Sequence, residues 1–217
     1  MKAITPAISR NGRAAAAAAA LVAIIALTAC GSKPGAPAEG DMALGAAEGA
    51  KVTVVEYASV TCGVCAAWQD ENWAGFKAAY IDTNKVRYVF REFPTPPANV
   101  AVAGFAIARC AGEDKYFDVV HGIMSSQGEW RTGVNPRDTL FRVGNGVGLS
   151  NDQITACITD EAGLKAADAR AKAAMSAGIG GTPTFLVNGV QVSTPGSPSG
   201  TSLADLSSAI EGELARP

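Results

Sequence analysis

A strand that ends one short turn before two closely spaced cysteines is the feature that most restricts how this chain can fold. Residues 52–57 form a β-branched and aromatic run typical of a buried strand. A polar turn over residues 59–61 follows, and Cys62 and Cys65 then lead into the apolar pattern of a helix. The N-terminus of a helix carries partial positive charge and unpaired N–H groups, so it stabilises a thiolate placed there.

This arrangement predicts thiol–disulfide exchange. A thiolate attacks disulfides, and a second cysteine one turn further along can resolve the mixed disulfide. We therefore expect Cys62 to be the attacking thiolate and Cys65 to be its buried resolving partner. The alternatives are a structural disulfide or half of a zinc site, but zinc usually takes four ligands. The chain has one histidine, His121, which is predicted to be a packing residue, and no second Cys-x-x-Cys.

Residues 1–29 have the pattern of an export signal. Basic residues within 2–13 precede an apolar run over residues 14–27, which is shorter than the ~20 residues that a membrane-spanning helix needs. The run ends in LTACG, which resembles the lipobox of bacterial lipoproteins, with Cys30 as the lipid-modified first residue. An ordinary cleaved signal peptide and a short uncleaved anchor are the alternatives. Residues 30–50 are rich in Gly, Pro and Ala and are expected to form a flexible tether.

Export would place the cysteines in an oxidising environment. Disulfides persist in the periplasm or outside the cell, so the four cysteines besides Cys30 are expected to form two pairs. Cys62 and Cys65 are one pair, which leaves Cys110 and Cys157 for a structural disulfide, with two buried free thiols as the alternative. The 217 residues carry a formal charge of −2, without the excess of basic residues typical of nucleic-acid binding, so nucleic acid is not an expected partner.

The rest of the chain predicts an α/β fold with helices inserted in its middle. Residues 85–93 alternate as a second strand, and residues 182–187 return to strand before Asn188 and Gly189, a strong hairpin signal. Residues 98–179 between these strands have helical periodicity. We expect one domain around a shared sheet, with a helical subdomain inserted into it. The domain would consist of residues 51–97 and 180–217, and the insertion of residues 98–179.

The order of these elements and their motifs resembles the thioredoxin fold of the DsbA family, which are exported thiol–disulfide oxidoreductases. The Cys-Gly-Val-Cys motif at residues 62–65 matches the redox motif of that family, and Thr182-Pro183 matches its cis-proline position. Glu56, six residues before the first cysteine, matches the family's buried acid. The similarity covers residues 51–214. Two further segments are similar to the family's single-domain branch, FREFP at residues 90–94 and CAGE at residues 110–113.

The resemblance implies roles for side chains around the two cysteines. Glu56 is expected to lie under them with its pKa raised by burial, and to exchange a proton with Cys65. The alternative is a solvated acid on the outer side of its strand. Pro183 is expected in a loop opposite the thiols, where the backbone binds an extended substrate and the ring helps to keep metals away. The other positions expected at the substrate surface are Gly63, Val64, Thr182 and Trp68. For Trp68 the alternative is a core position, because its spacing with Trp73 and Phe76 is that of a core face.

The resemblance also implies an activity and its partners. We expect a disulfide donor that oxidises reduced or unfolded exported proteins, is re-oxidised by a membrane partner of the DsbB type, and needs no cofactor or metal beyond its two thiols. It would be a monomer, lipid-anchored to the bacterial envelope in the periplasm. Thr182 before the proline is more familiar from disulfide isomerases and reductases, which are the alternative enzymes. The alternative from another class is a binding protein, either a chaperone that holds a soft metal such as Cu(I) on Cys62 and Cys65 or a holdase for unfolded chains.

Overall fold

A five-stranded sheet with the order β1-β3-β2-β4-β5 forms the centre of the fold. The structure is a computed structural model, and it describes Met1 and residues 35–197 and 200–217. β2 and β3 run parallel, and the other neighbouring strands are antiparallel. This pattern places β2, the strand before the two cysteines, in the middle of the sheet. The strands are β1 (Met42–Gly45), β2 (Thr53–Ala58), β3 (Arg87–Glu92), β4 (Thr184–Val187) and β5 (Val190–Val192).

The segment between β3 and β4 is rich in helices, as the periodicity predicts. The first helix within the described residues follows the turn after β2 and ends in a π-helical turn, Lys77–Ile81. A last helix follows β5 and completes the α/β fold. The helices are α1 (Gly63–Phe76), α2 (Ala98–Cys110), α3 (Glu113–Ser125), α4 (Gln127–Arg131), α5 (Pro136–Gly146), α6 (Asn151–Thr159), α7 (Glu161–Ser176) and α8 (Leu203–Ala215).

Both faces of the central strand are buried, which explains why its sequence is apolar almost throughout. Val54 faces a large core that β2 and β3 share with helices on that side of the sheet, including α1 and α3. Val55 and Tyr57 face a smaller cluster on the other side, to which Ala174 of α7 contributes. The charged residue of this strand, Glu56, points into the larger core and is 4% exposed. The alternative of a solvated Glu56 is therefore wrong.

The strand β1 corrects the expectation of a flexible tether. Met42–Gly45 pairs antiparallel with β3, and Met42 is buried. Next to it, Asp41 is ion-paired with Arg91 of β3 at 2.7 Å, with little of either side chain exposed. β1 ends at Gly45, where φ is +81° and an added Cβ would lie 2.5 Å from the carbonyl oxygen of Val86. The Gly- and Ala-rich composition does not reveal this strand, because its pairing is with a distant segment.

A buried acid, Glu92, joins the inserted helices to the sheet. Its carboxylate is paired with Arg109 of α2 at 2.6 Å and with Arg170 of α7 at 2.7 Å. Tyr116 of α3 donates its O–H to the same carboxylate at 3.0 Å. Three helices thus converge on one carboxylate at the end of β3.

The predicted export signal and Cys30 lie outside the described residues. Within the part of the chain that is described, no helix is both long and apolar enough to cross a membrane.

Candidate active site

Cys62 and Cys65 lie where β2 delivers the chain to the start of α1. Cys62 is the residue before the helix, and its sulfur accepts a hydrogen bond from the backbone N–H of Cys65 at 3.1 Å. Both cysteines are free thiols. Cys62 is 9% exposed and Cys65 is 1% exposed, while Val64 between them projects into solvent. A partner can therefore reach Cys62 more easily than Cys65.

The surroundings of the two sulfurs separate their acidities. The pKa of Cys62 is lowered from 9.0 to about 6, chiefly by a hydrogen bond from the Cys65 thiol. Burial opposes this effect, and hydrogen bonds from Thr182 and from the N–H groups of Cys65 and Val64 add to it. Burial, followed by the interaction with Cys62 and the charge of Glu56, raises the pKa of Cys65 far above its ordinary value. At neutral pH the pair therefore holds one thiolate, on Cys62, and one thiol, on Cys65.

Glu56 lies in the core close enough to both cysteines to interact with them electrostatically. Burial raises its pKa from 4.5 to about 7, a hydrogen bond from Tyr88 opposes this, and the charge of Cys62 adds to the increase. Tyr88 O–H donates to Oε2 of Glu56 at 2.5 Å. Glu56 is thus a buried carboxyl group that can take up or release a proton near pH 7, beside a thiol that must do the same.

The loop before β4 faces the first cysteine. The peptide bond between Thr182 and Pro183 is cis, and the sulfur of Cys62 lies 3.6 Å from the carbonyl oxygen of Thr182, across 120 residues of sequence. Gly180 and Gly181, just before this loop, are exposed, and a side chain added at either would meet nothing within 4 Å. The antiparallel pairing of β4 with β2 brings the loop to the end of the sheet where the cysteines lie.

One residue at this site, Gln127, has no signal in the sequence. It is the first residue of the short helix α4, and its buried side-chain amide donates to the carbonyl oxygens of Val60 at 2.8 Å and Cys62 at 3.2 Å. These two carbonyls flank Thr61, whose hydroxyl donates to the carbonyl of Thr95 at 2.8 Å. The inserted helices therefore hold the turn that presents the nucleophile.

Trp68 does not line a substrate surface, so that prediction is wrong. Its ring is 1% exposed and packs against Phe76 and Phe185, with centroids 6.0 and 4.5 Å away. Its Nε1–H donates to the carbonyl of Thr201 at 3.0 Å. Trp68 lies on the inner face of α1, one turn past Cys65, because a helix rotates by about 100° per residue. Val64 and Gly63 lie on the exposed face instead.

The remaining cysteines and the histidine lie elsewhere in the fold. Cys110 and Cys157 form a disulfide between the end of α2 and α6, with their Cα atoms 6.2 Å apart. His121 packs edge-on against Trp73, with ring centroids 4.4 Å apart, and burial lowers its pKa to about 4. Among the described residues, no group of three or more His, Cys, Asp or Glu side chains is placed to hold a metal ion.

Comparison with known proteins gives a consistent result. The sequence matches the thioredoxin family over residues 37–211. It is 34% identical over 155 residues to a protein of Rickettsia bellii and 35% identical over 156 residues to one of Rickettsia conorii, both provisionally named protein-disulfide oxidoreductases. The alignments cover 70% of this chain but only 59% and 55% of those relatives, so the chain spans little more than half of their length.

The fold is similar to that of two solved structures. α-DsbA1 of Wolbachia pipientis superposes with a TM-score of 0.71 at 23% sequence identity, over 82% of this chain and 92% of that one. Oxidised BdbD of Bacillus subtilis superposes with a TM-score of 0.70 at 18% identity, over 83% of this chain and 97% of that one. These similarities confirm the predicted thioredoxin-like fold with inserted helices.

Proposed function

Since this chain belongs to the thioredoxin family, we propose that it is a thiol–disulfide oxidoreductase of the DsbA type that donates disulfides to other proteins. The observation that supports this most directly is the stabilised thiolate of Cys62 at the start of α1, facing the loop of Thr182 and Pro183. A thiolate that is stabilised in the reduced form makes the disulfide easier to reduce, so the oxidised protein becomes a stronger oxidant.

The proposed reaction starts from a Cys62–Cys65 disulfide. A substrate thiolate attacks the sulfur of Cys62, the bond between the two cysteines breaks, and its electron pair moves to the sulfur of Cys65, which takes a proton from Glu56. A second substrate thiolate then attacks the substrate sulfur of the mixed disulfide and displaces Cys62 as a thiolate. The substrate gains a disulfide, and the protein keeps two electrons as a thiolate and a thiol. These steps require no group beyond the two cysteines and Glu56.

The size of the effect on the potential follows from the acidity of Cys62. With a pKa of about 6 in place of 9.0, the reduced folded state gains ~1.4 kcal/mol at pH 7 from ionisation of this thiol. For a two-electron couple this makes the disulfide ~30 mV more oxidising. Solvent around the partly exposed sulfur screens some of this gain.

The proposed partners are reduced or unfolded exported proteins, with a membrane protein of the DsbB type as the oxidant that restores the disulfide. The exposed side chain of Val64 and the open positions at Gly180 and Gly181 support contact with an extended chain beside Cys62. We further propose that the protein is a monomer in the bacterial periplasm, anchored by a lipid on Cys30. The apolar run and the LTACG motif before the domain support this location.

The reduction potential of the Cys62–Cys65 pair tests the proposed direction of exchange. The protein is equilibrated with reduced and oxidised glutathione, and the fraction of reduced protein is measured. We expect a value closer to the ~−120 mV of a strong oxidant than to the ~−270 mV of thioredoxin. A value near ~−270 mV would overturn the disulfide-donor proposal and indicate a reductase, the role suggested by Thr182.

Expression of the full chain in a bacterium tests the location. We expect the wild type in the membrane fraction with a lipid-sized increase in the mass of its first peptide, and the Cys30→Ala variant without this increase. An unmodified Cys30 in the wild type would contradict the lipid anchor.

A further inference from the structure

Besides the two cysteines, Glu56 has a third buried partner, Tyr88. In the parallel pairing of β2 with β3, Tyr88 lies opposite Val54 and Phe90 lies opposite Glu56. The side chains of Tyr88 and Glu56 therefore share one face of the sheet, two positions apart. Both are buried, and the Tyr88 hydroxyl donates to Oε2 of Glu56 at 2.5 Å.

The surroundings make this hydrogen bond important for the carboxyl group. The ring of Tyr88 is fixed by Trp73, Phe76 and Phe117, with centroids 5.1, 5.7 and 6.0 Å away. Among the described residues, no Lys, Arg or His is ion-paired with Glu56, and Tyr88 makes the one side-chain hydrogen bond to it. A buried carboxylate without a cation depends on such a donor. The titratable groups that act on this pair are Cys62, just before α1, Cys65 of α1 and Tyr116 of α3. His121 of α3 packs against Trp73 and Phe117, two of the rings around Tyr88.

We propose that Tyr88 is a positioning residue for proton exchange at Cys65, because its hydroxyl holds the carboxyl group of Glu56 and stabilises the carboxylate that forms when Glu56 gives up its proton. The inference rests on the proposed exchange reaction. When the disulfide is reduced, the proton passes from Glu56 to the sulfur of Cys65, and the hydrogen bond from Tyr88 strengthens as the carboxylate develops. When the disulfide re-forms, Cys65 returns the proton to Glu56.

The acid–base properties of Tyr88 suit this role. Burial and the charge of Glu56 raise the pKa of Tyr88 well above its ordinary value, so its hydroxyl stays protonated and remains a donor. Its hydrogen bond opposes the effect of burial on Glu56, whose pKa is about 7. Both forms of Glu56 are therefore populated near neutral pH, as proton exchange requires.

The test compares Tyr88→Phe with Tyr116→Phe. Tyr116 is also fully buried and also donates to a carboxylate, that of Glu92 at 3.0 Å, but Glu92 is already paired with two arginines. Each variant removes one buried hydroxyl and keeps the ring. A cooperative thermal unfolding transition for each variant checks that it folds.

The first measurement is the titration of the Glu56 carboxyl carbon by NMR in the reduced protein. We expect Tyr88→Phe to raise its midpoint by about one pH unit or more, because a hydrogen bond to the charged form is lost. Tyr116→Phe should leave the midpoint unchanged. An unchanged midpoint in Tyr88→Phe would overturn the inference, whatever the activity of the protein.

The second measurement is the rate at which glutathione reduces the oxidised protein between pH 5 and 9. We expect the plot of rate against pH to show an inflection in the wild type that is absent in Glu56→Gln. In Tyr88→Phe this inflection should move to higher pH together with the NMR midpoint, and in Tyr116→Phe it should keep its position. An inflection that Glu56→Gln removes but Tyr88→Phe does not move would also overturn the inference. If the wild type does not react with glutathione, the proposed exchange function fails, and the NMR titration alone decides whether Tyr88 sets the protonation of Glu56.

Discussion

Replacing Gln127 with leucine should loosen the turn that carries the nucleophile. The amide of Gln127 donates to the carbonyls of Val60 and Cys62 at 2.8 and 3.2 Å, from a side chain that is buried. Leucine has a similar volume and removes both donors. Each hydrogen bond contributes ~1 kcal/mol, and a buried carbonyl left without a partner costs ~1–3 kcal/mol. Because the carbonyl of Cys62 also accepts from the N–H of Ala66 at 3.1 Å, we count one such loss and expect ~2–4 kcal/mol of destabilisation.

Urea unfolding of the oxidised protein measures this change. With a slope of ~2 kcal/mol/M, the midpoint should fall by ~1–2 M. Gln69→Leu is the matched control, because the amide of Gln69 also donates twice, to the carbonyl of His121 at 3.4 Å and to the hydroxyl of Ser125 at 3.5 Å, but from a partly exposed position. Its midpoint should stay within ~0.3 M of the wild type. If Gln127→Leu unfolds at the same urea concentration as Gln69→Leu, Gln127 does not hold the turn.

Three further predictions concern the nucleophile and the buried acid of β3. Cys62→Ala should abolish oxidation of a reduced substrate while circular dichroism stays unchanged, and activity above the uncatalysed rate would contradict the assigned role. The pKa of Cys62 is lowered to about 6 in the folded dithiol form, so its contribution to stability is full above the unfolded value of about 9 and is lost as the pH falls through 6. The difference in unfolding free energy between the reduced and the oxidised form should therefore rise by at most ~4 kcal/mol from pH 6 to 9, and solvent screening makes the rise smaller. If urea titrations show no change of this difference with pH, the lowered pKa of Cys62 is refuted. Glu92→Gln leaves Arg109 and Arg170 without their buried carboxylate and should lower the free energy of unfolding in urea by ~3 kcal/mol. Glu129→Gln, which breaks an exposed ion pair, should lower it by less than ~1 kcal/mol. Equal losses would mean that the ion pairs of Glu92 do not stabilise the packing of the helices on the sheet.

The limits of sequence reasoning are clearest for residues whose partners lie far along the chain. Met42–Gly45 lies in a Gly- and Ala-rich stretch without a strong strand pattern, and it is a strand because β3 offers a free edge. Trp68 is close to Cys65 in sequence, but the rotation of α1 turns its ring into the core. Gln127 belongs to no motif that marks it in the sequence, and its importance comes from the carbonyls of Val60 and Cys62, more than 60 residues away.

Features that depend on neighbouring residues can be predicted from the sequence alone. The apolar run of β2, the helix after Cys62, the helical periodicity before β4 and the turn at Asn188 and Gly189 all follow from local patterns of polarity and backbone preference. These patterns were enough to predict the α/β fold and the two thiols of the candidate site.

The acidity of those thiols and the contacts that hold them depend on the tertiary structure. The pKa of Cys62 depends on Thr182, 120 residues away, and that of Glu56 depends on Tyr88, which a different strand supplies. Desolvation and hydrogen bonding depend on which groups meet in space, and the packing of distant segments sets those contacts.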